Sequence, residues 1–147
     1  MTDDVDYSLQ RFSETLPAYA VNVRTLRRAV VRFAEEHGAD AFMAGSVALA
    51  VGEALNNVVL HAYRDHLVPG NMTVDAHVEM SHLAVAVRDE GSGFNPRSQS
   101  PGAGYGLPVI ASLAAAMSVA TNRDDGPSGT AVLMNFELAD AGEPPPA

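Results

Sequence analysis

Two short segments contain residue types and spacings that could perform chemistry. Glu53 and Asn57 are four residues apart, so a helix would place a carboxylate and an amide side by side on one face. Asp89 ends an apolar run and precedes Gly91 and Gly93. Its carboxylate can accept a hydrogen bond from an exocyclic amino group, and the glycines let a flat ring approach the backbone. Taken separately, a solvent-facing helix stripe explains Glu53 and Asn57 better than a site does, and an ordinary strand-to-loop turn explains Asp89 equally well.

A third segment is rich in glycine and precedes a predicted helix. Glycine-bounded amides at a helix N-terminus favour bound phosphate through free N–H donors, and the segment from Gly102 to Leu107 leads into such a helix. The spacing G-x-G-x-G differs from the dinucleotide-binding pattern, and without lysine the segment is not a P-loop. Taken alone, a flexible linker would explain this segment about as well.

The composition excludes several kinds of chemistry. The 147 residues include nine basic residues, all of them arginine, and no cysteine. A Schiff-base amine, a thiol nucleophile, an iron-sulfur cluster and disulfides are therefore excluded. The formal charge of -9 argues against binding to nucleic acid, and His61 and His66 are poorly spaced for zinc. With 47% apolar residues in short runs, the chain is expected to form one cytoplasmic domain that does not enter a membrane.

The hydrophobic pattern predicts the order strand, two helices, two strands, a loop, a helix and two strands. Gly38 is expected to end the first helix, and the second is expected to begin after Asp40 or Ser46 and run to about Asp65. Ser81 and His82 are expected to join the two middle strands. The remaining elements are predicted at 5–15 (ended by Pro17), 18–37, 72–80, 83–89, 107–117, 119–122 and 130–138, with a loop at 91–106.

This order predicts an α+β fold. The expected architecture is a two-layer sandwich in which helices cover one face of a mixed, mostly antiparallel sheet. The domain is predicted to cover residues 8–138. Residues 1–7 are expected to be a flexible N-terminus, and residues 139–147, with three prolines, a disordered tail.

The joint order of the motifs is more specific than any one of them. A helix with Glu and Asn is followed by Asp-x-Gly-x-Gly after a strand, by a glycine-rich loop before a helix, and by Gly129-Thr130 on the last strand. This order resembles the GHKL ATP-binding domain of histidine kinases, gyrase-type ATPases and bacterial anti-sigma factor serine kinases. The phrase EALNNVVLHAY, from Glu53 to Tyr63, is similar to the anti-sigma factor kinases of the RsbW and SpoIIAB kind.

The resemblance implies that the protein binds ATP and Mg2+. By this likeness, Glu53 is the catalytic general base and Asn57 offers its amide oxygen to Mg2+. Asp89 is implied to recognise adenine. The residues implied to bind the nucleotide are Asn57, Asp89, Gly91, Gly93, Gly104, Gly106, Leu107 and Thr130.

The same resemblance implies protein partners and a phosphotransfer reaction. The protein is expected to be a serine kinase that phosphorylates an anti-sigma factor antagonist, sequesters a sigma factor and forms a homodimer. Partner contact is expected at the first helix, through Arg24, Arg27 and Arg28, although a solvated helix face explains these arginines equally well. The alternative hypothesis is a regulatory module that binds nucleotide and a partner without phosphotransfer. The intact Glu53 favours the kinase.

Overall fold

The computed structural model describes residues 10–92, 106–122 and 129–138 of the 147-residue chain. Its helices and strands follow one another in the order that the hydrophobic pattern predicted. They are β1 (Gln10–Pro17), α1 (Ala20–Glu36), α2 (Ala41–Asn57), a π-helical segment (Val58–Ala62), β2 (Asn71–Glu79), β3 (His82–Asp89), α3 (Gly106–Leu113), β4 (Ala116–Asn122) and β5 (Gly129–Glu137).

The five strands form one sheet in the order β1-β2-β3-β5-β4. Each of its neighbouring pairs is antiparallel. The predicted α+β sandwich is confirmed, but the expectation of a mixed sheet is wrong for the described strands, because β5 pairs with β4 and returns antiparallel along β3. α1 packs on β1 and β2, and α2 lies between α1 and α3 and contacts β3.

The hydrophobic core lies between the sheet and the helices. Strand alternation points every second side chain of β2, β3 and β5 toward the helices, and these side chains are buried. Burial of each large apolar side chain stabilises the fold by about 1.5–3 kcal/mol. The large side chains that are fully buried are Leu26, Val30, Val47, Val51, Leu55, Met72, Val74, Leu83, Val85, Val87, Ile110 and Phe136.

Local sequence sets the boundary between α1 and α2. Gly38 follows α1 with a φ of 104°, a left-handed conformation that glycine adopts without strain. Asp40 caps α2, because its side chain accepts a hydrogen bond from the amide of Met43 at 2.8 Å. Of the two helix starts left open by the sequence, Asp40 is therefore the correct one, and Ser46 is buried within α2.

The boundary between α3 and β4 differs from the predicted one. The sequence predicted a helix over 107–117, but α3 ends at Leu113 and the next strand begins at Ala116. Ala116 pairs with Asn135 of β5, and Met117 packs against the core. Alanine and methionine favour helices, so pairing with the sheet overrides the local preference at this boundary.

Two strand ends also differ from the prediction. β1 includes Pro17, which was expected to follow the strand, because β1 is at the edge of the sheet and an edge strand tolerates proline. The turn between β2 and β3 is formed by Met80 and Ser81, and His82 already belongs to β3. Met80 has a φ of 55°, the left-handed conformation that two-residue hairpin turns require.

One helix among the described residues is long and apolar enough to cross a membrane by length and composition. It is the continuous helix Ala41–Ala62, 22 residues long, with a mean hydropathy of 1.4. Val47, Val51 and Leu55 of this helix are fully buried in the core. Its position between α1 and α3 therefore accounts for its apolar composition.

Some expectations lie outside the described residues. They are the flexible N-terminus at 1–7, the tail at 139–147, and the glycines Gly93 and Gly104 of the glycine-rich loop. The described residues all lie within the predicted domain at 8–138.

Candidate functional site

Asp89 and Thr130 lie side by side at one end of the sheet. They are partners in the pairing of β3 with β5, and Thr121 of β4 is the next residue in this cross-strand row. Asp89 is on the same strand face as the buried Val85 and Val87, so its side chain is on the face that the helices cover. The structure thus brings together Asp89, which was expected to recognise adenine, and Thr130, which was expected to bind the same nucleotide.

The carboxyl group of Asp89 accepts hydrogen bonds from backbone amides. The amide of Gly91 donates to its Oδ1 at 2.9 Å, and the amide of Thr130 also donates to it. Burial raises the pKa of Asp89 above its ordinary value, and the two amides oppose this effect only in part. Within the described residues this carboxyl group has no ion-pair partner. It is therefore a candidate to accept hydrogen bonds from a ligand.

Gly129 allows β5 to begin directly against Asp89. A Cβ at position 129 would lie 2.3 Å from the carbonyl oxygen of Asp89, a distance at which the backbone would have to move. Any other residue at 129 would therefore displace Thr130 from its place beside Asp89. This contact gives a physical reason for the Gly129-Thr130 motif.

Gly91 is fixed against the end of the helix that precedes β2. A Cβ at Gly91 would lie 2.1 Å from the carbonyl oxygen of Ala62, and the amide of Ser92 donates to the same oxygen at 3.1 Å. From the sequence, this glycine was expected to let a flat ring approach the backbone. The structure shows that its missing side chain makes room for a helix carbonyl, and a contact between its backbone and a nucleotide stays a prediction.

Tyr63 connects the end of the π-helical segment with β2 and with the loop after β3. The sequence alone predicted no role for it. Its hydroxyl accepts a hydrogen bond from the amide of Glu90 at 2.9 Å and donates one to the carbonyl oxygen of Asn71. Burial raises the pKa of Tyr63, so the hydroxyl keeps the proton that it donates. The signal available in the sequence was its place at the end of the phrase that starts at Glu53.

Glu53 and Asn57 lie one turn apart on α2, as predicted, and both are half-buried. Neither side chain has a hydrogen bond or ion pair with another residue in the described part of the chain. Asn57 is the last residue of α2, and the helix then widens into the π-helical segment Val58–Ala62. Such π-helical turns are frequent at functional sites.

The three arginines expected to bind a partner are not equivalent. Arg24 and Arg28 are exposed on α1, whereas Arg27 is half-buried. The side chain of Arg27 lies over Gly52 of α2, where a Cβ would be 3.3 Å from its Cδ. Arg27 therefore contacts the residue that immediately precedes Glu53.

The glycine-rich motif leads into α3 as expected. Gly106 and Leu107 are the first two residues of this helix, so their amides have no partner within it. α3 packs against α2, the helix that contains Glu53 and Asn57. The motif is thus represented in the described residues by its last two positions.

His61 follows Asn57 by one turn and is held by an arginine. Its Nδ1 is 2.6 Å from a guanidinium nitrogen of Arg64, which donates the hydrogen bond. Burial lowers the pKa of His61, and the charge of Arg64 lowers it further, so the ring is neutral at neutral pH. Among the described residues, no three His, Cys, Asp or Glu side chains are grouped as a metal site.

A cavity of about 450 Å³ opens at the Asp89 end of the sheet. This volume is typical of small-molecule sites. Most of its lining is the open-face row Thr15, Thr73, Arg88, Ala131 and Ala120, so the cavity opens on the side of the sheet opposite to the helices, and Asp89 and Thr130 border it from the other face.

The family of the chain follows from its sequence match. The sequence model of the histidine kinase-like ATPase domain matches residues 16–136, a range that includes Glu53, Asn57, Asp89 and Thr130. The chain belongs to this family. No curated protein matches it.

Two solved structures share the fold of this histidine kinase-like ATPase domain. One contains the RsbU and RsbW domains of Rv1364c from Mycobacterium tuberculosis, with 22% identity, a TM-score of 0.67, and coverage of 88% of this chain and 32% of that chain. The other is the histidine kinase domain of a blue-light activated histidine kinase from Erythrobacter litoralis, with 23% identity, a TM-score of 0.53, and coverage of 84% of this chain and 62% of that chain. This chain therefore spans less than two thirds of either.

The residues of this ATPase domain fit a magnesium ion bound together with a nucleotide. Mg2+ prefers hard oxygen ligands, usually keeps several waters, and is bound by few protein side chains together with substrate phosphates. The amide oxygen of Asn57 is a hard oxygen of this kind, and it is not engaged by another described residue.

Proposed function

We propose that the protein is an ATP- and Mg2+-dependent protein serine kinase that phosphorylates an anti-sigma factor antagonist and sequesters a sigma factor in a partner-switching system. Membership of the histidine kinase-like ATPase family supports the nucleotide part of this proposal. The phrase EALNNVVLHAY, and the fold shared with a structure that contains an RsbW domain, support the choice of branch. The proposal places the protein in the cytoplasm, with protein partners and no contact with nucleic acid or membrane.

The observation that carries the proposal is the position of Glu53. Its carboxylate is on the same helix face as Asn57, one turn away, and no described residue neutralises it. A general base needs such a carboxylate within reach of the hydroxyl that it deprotonates. A module that only binds nucleotide has no need for a carboxylate at this position.

The proposed reaction transfers the γ-phosphoryl group of ATP to a serine. The serine oxygen forms a bond to the γ-phosphorus, and the proton of the serine hydroxyl passes to Glu53. The bond between the γ-phosphorus and the bridging oxygen of the β-phosphate breaks, which releases ADP. Asn57 would hold Mg2+, whose charge offsets that of the phosphates. Asp89, with Thr130 beside it, would accept a hydrogen bond from the adenine amino group. Gly91, Gly93, Gly104, Gly106 and Leu107 would contribute backbone contacts to the nucleotide.

The arginines of α1 are the proposed contact with protein partners. Arg24 and Arg28 are exposed, and Arg27 reaches α2 next to Glu53. A partner bound to Arg24, Arg27 and Arg28 would therefore be adjacent to the helix that contains the proposed base. Arginine is enriched at protein interfaces, and a local basic surface on a chain of net charge -9 suits an acidic partner.

A homodimer is part of the same proposal. The open face of the sheet offers a surface for it, with a groove of about 800 Å³ lined in part by Ala84, Ala86, Ala116 and Leu133. Small side chains on such a face allow two sheets to pack closely. Sedimentation equilibrium of the purified chain measures whether it associates.

The experiment that tests the kinase is a phosphotransfer assay. Proteins that co-purify with the chain from its native cell would supply the acceptor, and transfer from γ-labelled ATP in the presence of Mg2+ would be measured. We expect Glu53→Gln to lower the transfer rate by about 100-fold or more while ATP still binds, because the base is lost and the shape is kept. Glu36→Gln, at the exposed end of α1, is the matched control and should transfer at the parental rate.

Each outcome of this assay selects one hypothesis. Transfer that depends on Glu53 supports the kinase. Normal ATP binding without any label on a co-purifying protein contradicts it and favours the regulatory module that binds nucleotide without phosphotransfer.

A further inference from the structure

The loop after Asp89 is attached to the end of the helix that contains Glu53 and Asn57. The attachment has two hydrogen bonds from backbone amides, one from Glu90 to the side-chain hydroxyl of Tyr63 at 2.9 Å and one from Ser92 to the carbonyl oxygen of Ala62 at 3.1 Å. The two donating residues precede and follow Gly91 directly in the chain. Residues 90–92 are therefore held to residues 62 and 63.

The space around Tyr63 is shaped for its ring. Tyr63 is 7% exposed, and a Cβ at Gly70 would lie 2.6 Å from its Cε1. The hydroxyl also donates to the carbonyl oxygen of Asn71, the first residue of β2. The side chain thus bonds β2 and the loop after β3 at the same time, and its ring occupies the space that a side chain at residue 70 would need.

The attachment extends to the carboxylate of Asp89. The amide of Gly91 donates to Oδ1 of Asp89 at 2.9 Å and the amide of Thr130 also donates to this carboxylate, so the carboxylate keeps its local orientation and moves together with Gly91. The position of Gly91 depends in turn on its contact with Ala62 and on the bond from Glu90 to Tyr63. A continuous set of short contacts therefore connects Tyr63 to Asp89.

We infer that Tyr63 is a positioning residue that fixes the distance between Asp89, on the sheet, and Asn57, on the helix. The inference rests on the proposed function, in which Asp89 binds the adenine end of ATP and Asn57 the Mg2+ at its phosphate end. A ligand that engages both residues needs this distance to be constant. A ligand that engages only the adenine end does not.

The test compares Tyr63→Phe, which keeps the ring and removes the hydroxyl, with Tyr19→Phe. Tyr19 is 49% exposed and serves as the matched control. Binding of Mg-ATP would be measured by calorimetry and binding of adenosine by NMR titration. We expect Tyr63→Phe to weaken Mg-ATP binding about tenfold, the effect of one hydrogen bond in a buried site, and to change adenosine binding by less than about twofold. Tyr19→Phe should change neither.

Two results would overturn the inference. One is parental affinity for Mg-ATP in Tyr63→Phe, and the other is an equal loss for Mg-ATP and adenosine, which would mean that the hydroxyl acts on the adenine end alone. A residue with a purely structural role would lower the unfolding temperature without separating the two ligands.

A second measurement separates this inference from the proposed function. Amide hydrogen exchange at Glu90 should accelerate about tenfold in nucleotide-free Tyr63→Phe and stay at the parental rate in Tyr19→Phe. An unchanged exchange rate at Glu90 in Tyr63→Phe contradicts the attachment itself. If the parental protein binds no ATP, the proposed function fails and the positioning role fails with it, whereas the exchange rate still shows whether the hydroxyl holds the loop.

Discussion

Two aspartates lie on neighbouring strands of the sheet, one on each face. Asp75 of β2 is on the open face, where Nε of Arg88 is 3.2 Å from its Oδ2 and the hydroxyl of Ser13 donates to its Oδ1 at 2.6 Å. Asp89 of β3 is on the face that the helices cover, where backbone amides donate to it and burial raises its pKa. The side chain of Asp75 is 41% exposed.

The difference between the two aspartates shows which carboxylate is available to a ligand. Water screens the exposed pair of Asp75 and Arg88, and such pairs contribute less than about 1 kcal/mol to stability. The side chain of Asp75 is already engaged by two neighbours. Asp89 bears the cost of burial without an ion-pair partner among the described residues, and a hydrogen-bond donor on a ligand would offset this cost.

The largest effect on stability is expected from the close contacts around Asp89. Gly91→Ala would place a Cβ 2.1 Å from the carbonyl oxygen of Ala62, and both groups belong to the backbone. We expect this change to lower the free energy of unfolding by about 3 kcal/mol, because the loop after Asp89 has to move away from the helix. Urea denaturation followed by circular dichroism measures it.

Gly45→Ala is the matched control for this substitution. Gly45 is an exposed residue within α2, and a Cβ there would meet nothing within 4 Å. We expect an increase in the free energy of unfolding of about 0.5–1 kcal/mol, since alanine favours a helix more than glycine does. Equal and small effects of the two substitutions would show that the surroundings of Asp89 are not closely packed.

A smaller effect is expected from the ionisation of Asp89. Below a pH of about 4, its carboxyl group is protonated in the folded and the unfolded chain. Between the ordinary pKa and the raised pKa of the folded state, the folded chain holds the proton and the unfolded chain has lost it. The folded chain then binds more protons, so the contribution of Asp89 to stability falls as the pH rises through this window and stays constant above it.

Asp89→Asn removes this dependence on pH. The free energy of unfolding of the parental protein, minus that of the variant, should therefore decrease as the pH rises from about 4 through the raised pKa. Urea titrations at several pH values measure the difference. If the difference increases with pH, the fold stabilises the ionised carboxylate, and Asp89 resembles Asp75 more than the structure indicates.

Contacts that depend on residue type and local order could be predicted from the sequence. Alternation of apolar residues placed Asp89 at the end of a strand, and the spacing of Glu53 and Asn57 placed both on one helix face. That Asp89 and Thr130 belong to one nucleotide site was implied only by the resemblance to the family, and their pairing across β3 and β5 was not predicted. Each of these predictions depends on a local pattern or on a motif within one segment of the sequence.

Contacts between distant segments could not be predicted in the same way. Tyr63 bonds Asn71 and Glu90, and nothing in the sequence near Tyr63 indicates either partner. The start of β4 at Ala116 was missed because a local preference for helix was overridden by pairing with β5. Position 91 likewise requires glycine because of a contact with Ala62, which lies 29 positions earlier in the chain.

The most direct test is the titration of ATP into Asp89→Asn and Asp75→Asn by calorimetry, in the presence of Mg2+. We expect Asp89→Asn to weaken binding at least tenfold, which corresponds to about 1.4 kcal/mol, because asparagine replaces one of the two acceptor oxygens by an NH2 donor, which would then face either the amide of Gly91 or the amino group of adenine. Asp75→Asn should keep the parental affinity, because Asp75 is on the other face of the sheet and is already engaged by Ser13 and Arg88. Parental affinity in Asp89→Asn, or an equal loss in both variants, would contradict the assignment of the adenine site to the buried end of the sheet.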